Sequence, residues 1–511
     1  MPQAPATLIG PRRVTVGTRR RLVWRAVELG LFGFLALALA YFVGAADWIG
    51  VAMVLAVIGG GVLVLIDPKL IAMLWLAGQP TLFVFANNVA SEVPFFTVER
   101  ALFLVLLGLV MARAIFRSVP ARAVSATEWA VLGFLAMLTV SFATTFAGKD
   151  VNTIRSDVAL LFQCYLMPWL SVLIAARLDW TERDALRLLR VLAATGLLVV
   201  AIGASQRFAG LSWFTAQYFE VVHEGRIVGT FANAVEYGSV AVGLAILTLL
   251  LVFHLRDPFV KALWCLAAIA MIGAALLSLS RSPLVGAAAG LAFLFVRDPR
   301  IRPLLIAGGF VAAILGMIAI PLFLDTAGLM ARITEIEPIY NRLALFATAT
   351  QMVLDNPLTG VGFGRYGFAD NKIDYLTGFG PVSAQWAADV GIPHLEYLHV
   401  AVLTGVIGGT LYLLAFAMLW RSLSRIARDR AASPFVRRHA VYVQALLVSI
   451  LVNGLFVDFM AYNYFAALVY FMVGVSMGMA GRGAAAPQPN GAAVAFAPMP
   501  SGGMPHAAPS P

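Results

Sequence analysis

The chain has 511 residues, of which 61% are hydrophobic and only 12% charged, with a net charge of +10. A soluble globular domain carries about a quarter of its residues as charges. This composition therefore excludes an ordinary water-soluble globule and calls for surface that faces lipid. The basic residues cluster between apolar runs, which fits membrane topology better than nucleic-acid binding.

The first 27 residues hold Arg12, Arg13, Arg19, Arg20, Arg21 and Arg25 ahead of the first apolar run. The pattern resembles the basic region of a signal peptide, but the run that follows is full length. We read it as an uncleaved helix with a cytoplasmic N-terminus. Runs such as LFGFLALALAYFVGAA (31–46) do not alternate as barrel strands do, and about 20 apolar residues cross the hydrocarbon core as a helix. Predicted spans follow at 28–46, 48–66, 70–87, 100–116, 127–146, 157–176, 190–206, 236–254, 261–280, 283–297, 303–323, 395–420, 439–457 and 463–480. The pair around Asp67 and the short 283–297 are weakly delimited. The fold class is accordingly all-α: a polytopic transmembrane bundle of 12–14 helices over residues 28–480, with a large periplasmic loop before the last three helices.

Alternating the spans from a cytoplasmic N-terminus puts most of the 36 Lys and Arg residues inside. The inside segments include RLDWTERDALRLLR (177–190), RDPRIR (297–302) and RSLSRIARDRAASPFVRRH (421–439), as the positive-inside rule requires. Two long segments then face outward, about 207–236 and 324–394. In the second, residues 331–357 carry helical periodicity and stop at Asp355-Asn356-Pro357, which predicts an amphipathic helix near the membrane surface. Residues 481–511, rich in Ala, Pro and Gly, read as a disordered cytoplasmic tail. Cys164 and Cys265 fall inside predicted helices without metal-ligand spacing, so neither a disulfide framework nor a cysteine metal site is expected.

Three outward regions, the last in two parts, concentrate unusual side chains. HEGRIVGTFANAVEYG (223–238) brings Arg226, Asn233 and Glu236. SLSRSPLVG (278–286) sets Arg281 between two apolar runs, where an ionisable group must face a partner, a cavity or water. PLTGVGFGRYGF (357–368) is glycine-rich but lacks the GK[ST] ending of a phosphate loop. PHLEYLHVAVLTGVIGG (393–409) follows it, with His394 at the point of re-entry into the membrane and Glu396 and His399 close behind. Each has a bland alternative: a solvated loop arginine, a snorkelling arginine, plain turns, a structural histidine. The 394, 396, 399 spacing lacks the i,i+4 histidine pair of H-E-x-x-H, so no metal is expected. The topology sends Arg226, Arg281 and His394 to one face. Guanidinium forks suit phosphate oxygens, and a histidine suits removal of a proton from a hydroxyl. Such a site takes a phosphate-bearing, lipid-bound donor and an alcohol acceptor.

On RIVGTFANAVEYG, SLSRSPLVGAAAGL, PLTGVGFGRYGF and HLEYL followed by GVIGG, the chain resembles the bacterial O-antigen ligase and polysaccharide polymerase superfamily, over about residues 210–420. The resemblance implies a membrane glycosyltransferase of the bacterial inner membrane. It would move a glycan from an undecaprenyl diphosphate carrier to a hydroxyl on a glycan or on lipid A–core, with inversion and without a metal or cofactor. By family role Arg226 and Arg281 would bind the diphosphate and His394 would activate the acceptor. Arg207 and Arg365 would assist with phosphate or glycan. Leu395 stands where the family commonly has Asn or Ser, and Glu396 would stand in for that polar neighbour. A transporter or flippase for a lipid-linked glycan is the alternative, and it calls for charges in the middle of the spans. Nucleic acid is not an expected partner.

Overall fold

The computed structural model describes residues 67–89, 97–116, 123–146, 149–210, 226–231, 233–323, 337–364, 367–375, 392–459 and 463–485. Helices account for nearly all of them, and no strand occurs among these residues. In chain order they are α1 (Pro68–Val89), α2 (Val98–Phe116), α3 (Ala126–Thr144), α4 (Val151–Arg177), α5 (Glu182–Ala209), α6 (Ala234–Val252) and α7 (Pro258–Leu277). There follow α8 (Arg281–Arg297), α9 (Arg302–Phe323), α10 (Glu337–Asp355), α11 (Gly367–Asn371), α12 (Glu396–Arg428), α13 (Pro434–Asn453) and α14 (Asn463–Ala485). Every predicted span that falls on described residues coincides with one of these helices. The spans at 28–46 and 48–66 and most of the 481–511 tail lie outside the described residues. Eight helices (α3 to α7 and α12 to α14) are long and apolar enough to cross a bilayer.

Polar residues at the helix ends explain where the helices begin. Ser125 and Glu128 form a reciprocal capping box on α3, and Thr181 and Asp184 form another on α5. Asp150, Asp257 and Ser433 each accept a backbone N–H at the start of α4, α7 and α13. These side chains satisfy donors that the first turn leaves without a helical partner.

Packing between helices follows the rules for lipid, where close backbone approach replaces the hydrophobic drive. Gly286 and Gly290 of α8 lie against the Ser449 and Ala445 carbonyls of α13, where an added Cβ would stand at 2.9 and 3.0 Å. Gly474 of α14 lies against the Val172 carbonyl of α4 in the same way. An aromatic cluster fills the middle. Trp169 packs against Tyr412 at 5.7 Å, Phe416 at 5.2 Å and Tyr470 at 4.5 Å between ring centroids, which joins α4, α12 and α14. Helices α6 and α14 are almost enclosed, whereas α7 turns most of its surface outward.

The helix expected over 331–357 is α10, and it ends at Asp355 as the Asn356-Pro357 signal requires. Its buried Leu345, Ala349 and Met352 pack with Phe368 and with Val402 of α12 in a small separate core. Residues 331–336 lie outside the described residues.

Helix α12 is broken. Gly405 has φ 70° and ψ −175°, a region open essentially only to glycine. The break frees backbone groups, and the segment 357–363 covers them. Val361 donates to the Val402 carbonyl at 2.8 Å, and Val406 donates to the Pro357 carbonyl at 2.7 Å. Ser141 of α3 donates its hydroxyl to the Leu403 carbonyl at 2.6 Å and accepts the Phe363 N–H at 3.0 Å. Gly360, at φ 67°, approaches the break so closely that a Cβ would meet the Val402 carbonyl. Irregular backbone at membrane depth survives only under such protein cover.

Gly405→Ala should therefore destabilise the protein by about 2 kcal/mol or more, because it forces alanine into a glycine-only conformation and into the Leu358 carbonyl. Gly273→Ala, in α7 with no atom within 4 Å of the new Cβ, should leave stability unchanged or raise it slightly. Thermal unfolding of the purified variants in one detergent checks both. Equal melting behaviour for the two would contradict the role given to Gly405.

Candidate functional site

The ends of α6, α8, α12, α13 and α14 nearest Arg226, Arg281 and His394 are tied together. Asn453, closing α13, donates its amide to the Ser239 hydroxyl of α6 at 2.7 Å. Gly454 then accepts the Glu396 N–H at 2.9 Å, which fixes the start of α12. Glu236 of α6 accepts the Tyr464 N–H at the start of α14, at 3.2 Å. Gly238 of α6 lies against the turn between α7 and α8, so that a Cβ there would stand 2.8 Å from the Ser278 hydroxyl and 3.0 Å from Pro283.

The segment Arg226–Phe231 is held to α5 by its backbone. Val228 and Gly229 both donate to the Gln206 side-chain carbonyl, at 3.1 and 2.9 Å. Arg226 and Arg207 are both half-buried and flank this clasp in sequence. Asn233 has a local task, because its side chain caps α6 by accepting the Glu236 N–H at 2.8 Å. Arg281 is the first residue of α8 and is exposed. Leu279, two residues before it, adopts φ 51° in the left-handed region. That strain makes the α7–α8 turn abrupt and delivers Arg281 at the helix start. Arg365 lies outside the described residues.

His394 also has left-handed backbone, at φ 57°; it and Leu279 are the two non-glycine residues with positive φ in the described chain. A non-glycine residue held there costs on the order of 1–3 kcal/mol, and such strain concentrates where a side chain must be aimed. His394 is partly buried, and burial holds its imidazole below the ordinary value of 6.5. The Arg342 guanidinium of α10 and His399 push it the same way, and the Asp458 carboxylate pulls against them. The net direction is downward, toward the neutral ring that a proton acceptor needs.

Glu396 is fully buried and both of its oxygens are taken. One accepts the Tyr412 hydroxyl at 2.8 Å and the other the Phe459 N–H at 2.6 Å. Its carboxylate thus serves the protein's own framework. His399 is buried beside Asp458, with Nδ1 3.1 Å from the Asp458 carboxylate but off the hydrogen-bond angle. Glu396, His399 and Asp458 place ligand atoms within 4.8 Å of one another, which would suit a small divalent cation by donor type. Glu396 is already committed elsewhere, while His399 Nδ1 and both Asp458 oxygens are buried without a hydrogen bond of good geometry.

Asp458 was not singled out by the sequence reading. It lies in the α13–α14 connection, amid the apolar stretch GLFVDFMAYN (454–463), and nothing local marks it as facing a histidine 59 positions earlier. An isolated acid within such an apolar stretch was the signal that could have found it. A second buried polar set was also missed. In the span starting near residue 100, Glu99 bonds Gln79 of α1, and Arg100 bonds Gln163 of α4. Gln163 sits in a π-helical turn, Phe162–Leu166. Glu99 and Arg100 are both buried, at the first turn of α2.

The fold is that of a multi-pass helical membrane protein, with Arg226, Arg281 and His394 beside helix ends that these contacts tie together. Residues 266–413 match the family model described as O-antigen ligase. The match runs from α7 to α12, supports the O-antigen ligase and polymerase superfamily, and contains Arg281, Arg365, His394 and Glu396 but not Arg207, Arg226, Asn233 or Asp458. No curated protein matches the chain.

If His394 acts as a base, the acidic limb of the pH–rate profile should have its midpoint below pH 6.5. Arg342→Ala removes a charge that lowers the ring, so the midpoint should move up; Asp458→Asn removes one that raises it, so the midpoint should move down. Shifts in the opposite senses would remove His394 from that role.

Proposed function

We propose that the protein is a membrane glycosyltransferase that moves a glycan from an undecaprenyl diphosphate donor to a hydroxyl acceptor on the periplasmic side of the bacterial inner membrane. The observation that carries the reading is the O-antigen ligase match across 266–413, which brackets both Arg281 and the strained His394. The positive-inside bias supports cytoplasmic termini and a periplasmic His394.

In this reading His394 takes the proton from the acceptor hydroxyl as its oxygen attacks the anomeric carbon. The new glycosidic bond forms as the bond from that carbon to the diphosphate oxygen breaks, and the configuration inverts. Arg226 and Arg281 bind the diphosphate and hold the negative charge that builds on it as it leaves. Arg207 and Arg365 steer the remaining phosphate or glycan. The permanent guanidinium charges take the part that a metal would otherwise play, so the transfer is metal-independent. The acceptor is either lipid A–core, for a ligase, or the end of a growing chain, for a polymerase of O-antigen or exopolysaccharide units.

Alanine at Arg226, Arg281 or His394 should each reduce surface polysaccharide by at least about a hundredfold in a complementation strain, with the variants present in the membrane at wild-type level. Arg281→Lys should retain part of the activity, because it keeps the charge but not the fork. Normal polysaccharide in any expressed alanine variant would overturn the assignment of that residue. The lipid-linked species that accumulates separates ligase from polymerase. Transfer by the purified protein should also persist in excess EDTA. Loss that a divalent cation restores, and that Asp458→Asn abolishes, would instead give Glu396, His399 and Asp458 a bound ion.

A further inference from the structure

A cleft of about 330 Å³ lies at the end of the bundle opposite His394 and Arg281. It forms where α8 ends, where α13 begins and beside the last turns of α12. Four arginines line it, Arg297, Arg300, Arg437 and Arg438, against one acid, Asp298. Asp298 is engaged: it accepts the Arg300 N–H at 3.2 Å, and its other oxygen lies 3.6 Å from Arg438 Nε. Among the described residues, Arg297, Arg300 and Arg437 have no carboxylate within 4.0 Å. The lining therefore carries four positive charges and one negative. Arg438 is further engaged by the Phe253 ring, 5.5 Å from its guanidinium, which leaves Arg297, Arg300 and Arg437 without an acidic partner among the described residues.

Two further features point to the occupant. Pro434, the first residue of α13, lines the cleft, so the positive end of that helix opens into it. Phe295 and Val296 are exposed immediately before Arg297, and the Arg302 guanidinium lies over the Phe295 ring at 5.6 Å. Apolar surface thus gives way to arginine within one helical turn, which is the pattern of the boundary between acyl chains and headgroups. A ligand there meets arginine forks at its phosphate and exposed apolar side chains beside it.

We propose that this cleft binds the phosphate headgroup of an anionic phospholipid in the leaflet opposite the candidate site. Basic pockets between transmembrane helices take such headgroups through charge and paired hydrogen bonds. The proposal stands apart from the glycosyl-transfer reading, since it uses none of the residues assigned to that reaction.

The test uses the full chain in nanodiscs of phosphatidylcholine containing a minor fraction of phosphatidylglycerol, with retained lipid counted by native mass spectrometry. Arg300→Gln with Arg437→Gln should lower phosphatidylglycerol retention about tenfold or more, since each basic residue at the surface adds its own attraction. Arg187→Gln with Arg190→Gln, at the same end of the bundle on α5 but outside the cleft, should change it little. Arg300→Lys with Arg437→Lys should give intermediate retention, and equal melting of all variants in pure phosphatidylcholine shows that they fold. Equal loss in both glutamine pairs would assign the effect to general surface charge and overturn the proposal, as would no loss in either. Millimolar inorganic phosphate that displaces the lipid fully would overturn the lipid as occupant.

Discussion

The break at Gly405 is the constraint on which the rest of this architecture depends. A helix inside a bilayer cannot expose unpaired backbone, so the interruption of α12 exists only because other parts of the chain cover it. That cover comes from two directions at once. The 357–363 segment answers the freed groups with its own backbone, and the Ser141 hydroxyl of α3 joins α12 to that segment. The loop that precedes His394 is thereby anchored to the helix that follows it. The small core of Leu345, Ala349, Met352, Phe368 and Val402 extends the same anchorage to α10, which in turn brings Arg342 near the histidine.

The polar end of the bundle then follows from that anchorage and from α13. One short stretch at the end of α13 and just beyond it, residues 453–459, serves several neighbours: Asn453 holds α6, Gly454 holds the first turn of α12, Asp458 faces His399 and Phe459 holds Glu396. Glu396 is buried with both oxygens answered by other parts of the chain, whereas the buried Asp458 carboxylate lies against the His399 ring off the hydrogen-bond angle.

Much of the fold was legible because membrane helices announce themselves by length and apolarity. The twelve predicted spans on described residues became helices, and the stop at Asp355-Asn356-Pro357 fell where turn chemistry put it. His394 was legible because an ionisable residue at a membrane boundary is costly and therefore conspicuous. Gly405 was not, since a glycine in an apolar helix looks like any other small packing residue, and its partners Pro357 and Leu358 lie nearly fifty positions earlier. Asp458 and Arg100 escaped for a related reason. Each answers a group on another helix, and only the tertiary packing tells a buried, partnered charge from one that marks the edge of a span. Glu396 was legible as unusual, but its bonds to Tyr412 and Phe459 were not, because both partners lie on other parts of the chain.

The length of α12 has a consequence for depth. Its two pieces on either side of the Gly405 break together hold 33 residues, more than the roughly 20 that a helix needs to cross a hydrocarbon core. The apolar part runs from the first turn to Trp420, and arginines at 421, 425 and 428 occupy the remainder. If those arginines stand in water at one side, the beginning of the helix reaches the other interface and goes no farther. On the proposed function, that would set His394 at the waterline, the level where a carrier embedded in lipid and a hydroxyl arriving from water could both reach the same side chain.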